Sequence, residues 1–72
     1  MNKKNKIKIK VNGKIVSIAK NCTLKNFITK YKIPLNKVAI ELNNEIVDKK
    51  KTSNIILKSS DRIEIVQFIG GG

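Results

Sequence analysis

The chain has 72 residues and a formal net charge of +11, a length that closes around one modest core and buries roughly 60% of the unfolded surface. With 40% apolar and 29% charged residues it reads as one small folded domain, with no apolar run near the ~20 residues of a bilayer span and no signal-peptide pattern after Met1-Asn2-Lys3-Lys4, so a cytoplasmic location is expected. No histidine, one cysteine (Cys22) and five carboxylates (Glu41, Glu45, Asp48, Asp61, Glu64) exclude His-based triads, His-containing zinc sites and an internal disulfide, so an enzyme with its own active site, metal or bound cofactor is not expected and function is expected to need a partner.

Residues 1–6 are basic and aperiodic, the pattern of a flexible tail. Ile7-Lys8-Ile9-Lys10-Val11 alternates strictly and predicts a half-buried strand. Asn12-Gly13 accepts positive φ at both turn positions and predicts a two-residue hairpin, placing Val11 opposite Lys14, Ile9 opposite Val16 and Ile7 opposite Ile18. One face then carries Ile7, Ile9, Val11, Val16 and Ile18, the other Lys8, Lys10 and Ser17. Thr23 is a helix cap, with Asn26 three residues on, so a full capping box is not expected. Leu24, Phe27, Ile28 and Tyr31 share one helical face, Lys30 and Lys32 suit the C-terminal dipole, and Pro34 ends the helix.

Val38, Ile40 and Leu42 alternate with Ala39 and Glu41 as a third strand, and Asn43-Asn44 turns it into a short fourth piece, Glu45 to Val47. Lys49-Lys50-Lys51-Thr52 predicts a solvated loop, and Ile55, Ile56 and Leu57 are expected to plug one end of the core. Fifteen lysines against the single Arg62, with Lys, Ile and Asn making 37 of the 72 residues, point to compositional bias. Nucleic-acid sites favour Arg and stacking aromatics, and only Phe27, Tyr31 and Phe68 are aromatic, so a dedicated nucleic-acid site is the lesser reading. Cys22 reads as a partly buried structural thiol.

Arg62 to Phe68 forms the last strand, giving the order β-β-α-β-β-β: an α+β fold, with one main helix on one face of a mixed sheet of four to five strands. If Ile63 and Ile65 face the helix, Val66 and Phe68 face outward, near Ile15 and Ala39, as a docking surface. Ile69-Gly70-Gly71-Gly72 follows at once. Glycines lack the Cβ that would clash in a narrow channel, so the tail can thread into another protein's active site and present the Gly72 carboxylate. That carboxylate needs activation, and an acyl-adenylate made from the partner's ATP supplies it.

Val11-Asn12-Gly13-Lys14, Thr23-Leu24, Val38-Ala39-Ile40-Glu41-Leu42-Asn43 with Glu45-Ile46-Val47, and Asp61 through Gly72 resemble the sulfur carrier proteins of thiamine biosynthesis, the ThiS family. The resemblance runs from Ile7 to Gly72 and implies a β-grasp, ubiquitin-like domain over residues 7–69 with a flexible tail at 70–72. It implies that a ubiquitin-activating-enzyme-like (ThiF-like) adenylyltransferase activates Gly72. A persulfide delivered through a cysteine desulfurase then leaves a thiocarboxylate, and a ThiG-like thiazole synthase takes its sulfur. Gly72 would carry the sulfur, Gly70 and Gly71 give access, and Val66, Phe68 and Ile69 dock the partner. The chain departs from the family at Ser59-Ser60-Asp61, often Asp-Gly-Asp, and at Asp48, often Pro. The alternatives are the small subunit of molybdopterin synthase, another ubiquitin-like sulfur carrier or protein modifier, and a basic nucleic-acid-binding β-grasp module.

Overall fold

The structure, a computed structural model, describes residues 5–68. Five strands, β1 (Lys6–Val11), β2 (Lys14–Ala19), β3 (Val38–Leu42), β4 (Glu45–Ile46) and β5 (Arg62–Gln67), form one sheet in the order β2-β1-β5-β3-β4 around a single helix, α1 (Leu24–Lys30). The hairpin register is the expected one, with Val11 on Lys14, Ile9 on Val16 and Ile7 on Ile18, because Asn12 and Gly13 both adopt positive φ, 50° and 85°.

The last strand runs parallel to β1 and antiparallel to β3. It follows that β2 and β3 run in the same direction on opposite sides of the central β1–β5 pair. Their connection must cross one face of that pair, and α1 lies in this crossover. Leu24, Phe27 and Ile28 close on Ile9, Ile18, Val38, Ile40, Leu57 and Ile63 to make the core. A seven-residue helix is too short to persist in isolation, so this packing and its two ends hold it.

The first helix end differs from expectation, and the second stops short of Pro34 as expected but closes through a left-handed Lys32. Thr23 Oγ1 accepts from Asn26 N–H at 3.0 Å, and Asn26 Oδ1 accepts from Thr23 N–H at 3.2 Å. The capping box is therefore complete, because the shorter amide of asparagine still reaches back. At the other end the helix stops before Pro34. Lys32 turns left-handed at φ 55°, its N–H donates to Thr29 O, and Ile33 N–H donates to Ile28 O at 3.0 Å. That is a Schellman closure with lysine where glycine is usual. Tyr31, one turn beyond Phe27, rests its ring 4.8 Å from the Phe27 ring yet stays exposed rather than joining the core.

Two further segments depart from the sequence reading. Residues Lys49–Asn54 form 3₁₀ turns, not a plain solvated loop, started by Asp48 Oδ1 accepting from Lys50 N–H at 2.9 Å. They put the Thr52 side chain in the interior, its hydroxyl against Lys49 O. The stretch that follows is extended: Leu24 N–H donates to Ile55 O, and Leu57 N–H donates to Cys22 O at 2.9 Å. Extended backbone alternates its side chains, so Ile55 and Leu57 turn inward while Ile56 points to solvent instead of plugging the core.

Candidate functional site

The C-terminal strand is central in the sheet, and its neighbours determine where it delivers the end of the chain. On one side β1 pairs with only its first residues, Lys10 with Arg62 and Val11 with Ile63, before the hairpin turns away. The side chain of Asn12 takes over from the missing strand. Asn12 N–H donates to Ile63 O at 2.9 Å, and Asn12 Oδ1 accepts from Ile65 N–H at 2.8 Å. On the other side Asn43 does the same at the start of β5. Its Oδ1 accepts from Arg62 N–H at 2.9 Å, its own N–H donates to Arg62 O at 2.8 Å, and its Nδ2 donates to Asp61 Oδ1 at 3.0 Å.

Both asparagines open two-residue turns at nearly the same left-handed φ, 50° and 52°, and each side chain carries the pairing of β5 past the end of the neighbouring strand. They clamp β5, whereas the sequence shows them only as turn residues. The available signal is asparagine, able to pair with backbone on both its oxygen and its nitrogen, at the first position of each turn.

Clamped this way, β5 alternates as expected. Ile63 and Ile65 face α1, while Val66 emerges on the opposite face, 53% exposed and directly across from Ala39. Ile15 is not beside them. It pairs with Lys10, which pairs in turn with Arg62, so it sits level with the beginning of β5. Val66 shares its end of the face instead with Ala39, then the Glu41–Glu64 pair, then Ile46 on β4.

Phe68 lies just past the strand, where its N–H donates to Lys37 O at 3.0 Å and prolongs the pairing with the β3 side. Its ring is 48% exposed and lies 5.1 Å from the Lys49 ammonium, a cation–π contact that steadies an exposed aromatic by about 0.5–1 kcal/mol. Lys49 is itself anchored by donating to Leu35 O. Ile69, Gly70, Gly71 and Gly72, named as docking, access and sulfur-carrying residues, lie outside the described residues.

Among the described residues no group of His, Cys, Asp or Glu is arranged to hold a metal ion, and no helix is long and apolar enough to cross a membrane. Cys22 is half-buried between β2 and α1, its thiol donating to Thr23 O at 3.4 Å.

A family model described as the ThiS family matches residues 9–72. The chain is 35% identical over 65 residues to the sulfur carrier protein ThiS of Bacillus subtilis, covering 89% of this chain and 98% of that one. It is 33% identical over 66 residues to a thiazole synthase of Paramagnetospirillum magneticum, 92% of this chain but only 20% of that protein. A thiazole synthase of Magnetococcus marinus gives the same identity and the same 20% coverage, so this chain spans about a fifth of those two relatives. The crystal structure of a ThiS protein from Geobacter metallireducens superimposes with a TM-score of 0.81 at 26% identity, covering 92% of this chain and all of that one. The mixed five-stranded sheet with its single helix is thus the β-grasp arrangement of that structure.

Proposed function

The chain belongs to the ThiS family, and from that membership we propose that it is the sulfur carrier for thiazole formation in thiamine biosynthesis, acting as a protein cosubstrate with no catalysis of its own. The Gly72 carboxylate attacks the α-phosphorus of ATP held by a ThiF-like adenylyltransferase, releasing pyrophosphate and leaving an acyl-adenylate. A persulfide from a cysteine desulfurase or similar donor attacks that carbonyl, and AMP departs. A thiol then attacks the resulting acyl disulfide, freeing the C-terminal thiocarboxylate and taking the donor's sulfur into a new disulfide. Thiazole synthase takes the carried sulfur and returns the carrier as a carboxylate.

The carrier's own part is binding and presentation. Val66 and Phe68, exposed at the end of a clamped central strand, and Ile69 beyond them dock the activating enzyme. Gly70 and Gly71 let the tail pass where a Cβ would clash. The nucleotide in the scheme enters as ATP bound by the partner and leaves as AMP, and the setting is cytoplasmic.

The observation that carries the choice of acceptor is the pair of thiazole synthases in which a segment like this chain forms part of one polypeptide. A carrier-like segment joined to the synthase favours the thiazole acceptor over the molybdopterin one. The test is ATP–pyrophosphate exchange with the adenylyltransferase. The full chain is expected to support exchange, and a chain lacking Gly71 and Gly72 to abolish it with an unchanged melting temperature. Undiminished exchange by the shortened chain would overturn the role given to the tail.

A further inference from the structure

The sheet face away from α1 has a concave, cationic corner. Lys8 and Lys10 of β1, Ile15 of β2, Arg62 at the start of β5 and Ser60 of the preceding turn line a cavity of about 300 Å³. The register brings these residues together. Lys10 pairs with Ile15 on one side and with Arg62 on the other, so the three form a row across β2, β1 and β5. Lys8 stands two residues along the same face of β1.

Arg62 is the single arginine of the chain, and its neighbouring carboxylate is engaged elsewhere. Asp61 Oδ2 accepts from Lys58 N–H at 2.8 Å, and Asp61 Oδ1 accepts from Asn43 Nδ2 at 3.0 Å. The same face changes sign further on: Glu64 of β5 stands directly opposite Glu41 of β3, a pairing of like charges that a sheet disfavours on its own. An anionic partner is therefore attracted to one corner and repelled from the centre, which sets orientation as well as affinity.

We propose that this corner docks an acidic segment of a protein partner, with a carboxylate side chain held among Lys8, Lys10 and Arg62 and an adjacent apolar side chain against Ile15. The planar guanidinium matches a carboxylate through two parallel hydrogen bonds. Ile15, 66% exposed, is what separates a protein segment from a free anion, because a bare phosphate would leave this apolar surface in water. The inference concerns a corner distinct from the Val66–Phe68 end and does not depend on the sulfur chemistry.

The test is an amide-resolved NMR titration of the full chain with an acetylated Glu-Glu-Leu-Glu-Glu peptide at fixed ionic strength, with inorganic phosphate in parallel. Saturable shifts confined to Lys8, Lys10, Ile15, Ser60 and Arg62 are expected, with affinity falling about tenfold in the Lys10→Gln/Arg62→Gln variant, the equivalent of about 1.4 kcal/mol. A Lys25→Gln/Lys51→Gln variant, with the same loss of net charge at exposed positions elsewhere, should keep its affinity. Equal weakening in both variants would reduce the attraction to diffuse charge and overturn the proposal. Phosphate displacing the peptide at equal or lower concentration would overturn it in favour of a small-anion site.

Discussion

Replacing Asn12 by glycine separates the turn from the clamp. Glycine keeps the left-handed conformation that Asn12 adopts at φ 50°, so the hairpin geometry survives. What is lost is the side-chain acceptor for Ile65 N–H at 2.8 Å. Such a bond contributes about 0.5–1.5 kcal/mol net, and the amide left behind is at an exposed edge where water can reach it. Glycine also gives the unfolded chain more freedom, a cost of about 0.4–1 kcal/mol, roughly offset by relief of the left-handed backbone. The expected loss is thus about 1 kcal/mol, or a fall of about 4–8 °C in melting temperature for a domain of this size.

Ser60 is the control. It is also left-handed, at φ 74°, but its contact is made by the backbone, Ser60 N–H donating to Lys8 O at 2.9 Å. Ser60→Gly therefore keeps that bond and removes the strain, about 1–2 kcal/mol for a residue with a Cβ. That exceeds the glycine entropy cost of about 0.4–1 kcal/mol, so the melting temperature should rise. Thermal unfolding followed by circular dichroism reads both variants, and hydrogen exchange at Ile65 should quicken only in Asn12→Gly. If Asn12→Gly melts higher, as Ser60→Gly should, the Asn12 side chain holds nothing and the clamp is refuted.

The helix end and the tail end each carry one more expectation. Lys32→Gly should stabilise by about 0.5–1 kcal/mol, since the Schellman turn keeps its bonds and the left-handed residue loses its Cβ; a drop in urea midpoint would contradict that geometry. Phe68→Ala should cost about 1 kcal/mol or less, given its half-exposed ring and the Lys49 contact, while raising several-fold the carrier concentration at which the activating enzyme is half-saturated. A loss of 3 kcal/mol or more, in the range of about 3–5 for buried phenylalanines, with unchanged activation would place Phe68 in the core and remove it from docking.

What the sequence discloses depends on the range of the interaction. The β1–β2 register is legible because alternation and the Asn12-Gly13 turn are local signals that agree. The inward face of Leu24, Phe27 and Ile28 is legible because it repeats with the helical period. The pairing of β5 with β1 and β3 lies beyond such patterns, and so do the clamps, because Asn12 acts on Ile65 across 53 positions and Asn43 on Arg62 across 19.

Lys49–Asn54 was hidden for a different reason. Its composition is that of solvated loops, and what ties it down, the Asp48 cap, the interior Thr52 and the Lys49 bond to Leu35 O, exists only once the chain has folded. Ile56 misleads because a run of three aliphatic residues looks uniformly buried until its extended backbone is known. On the candidate site, the outward alternation of Val66 was readable, whereas the position of Ile15 required strand order.

The central claim is that Gly72 carries sulfur, and the most direct measurement is high-resolution mass spectrometry of the C-terminal peptide. The full chain would first be incubated with ATP, the adenylyltransferase, a persulfide donor and a thiol. Exchange of one oxygen for sulfur has nearly the mass of an added oxygen, and reading the C-terminal peptide excludes oxidation of Met1 or Cys22, both of which lie outside it. The account predicts a thiocarboxylate mapped to Gly72 that disappears when ATP is withheld. An unmodified Gly72, in a reaction where the same adenylyltransferase and donor load another carrier, would contradict it.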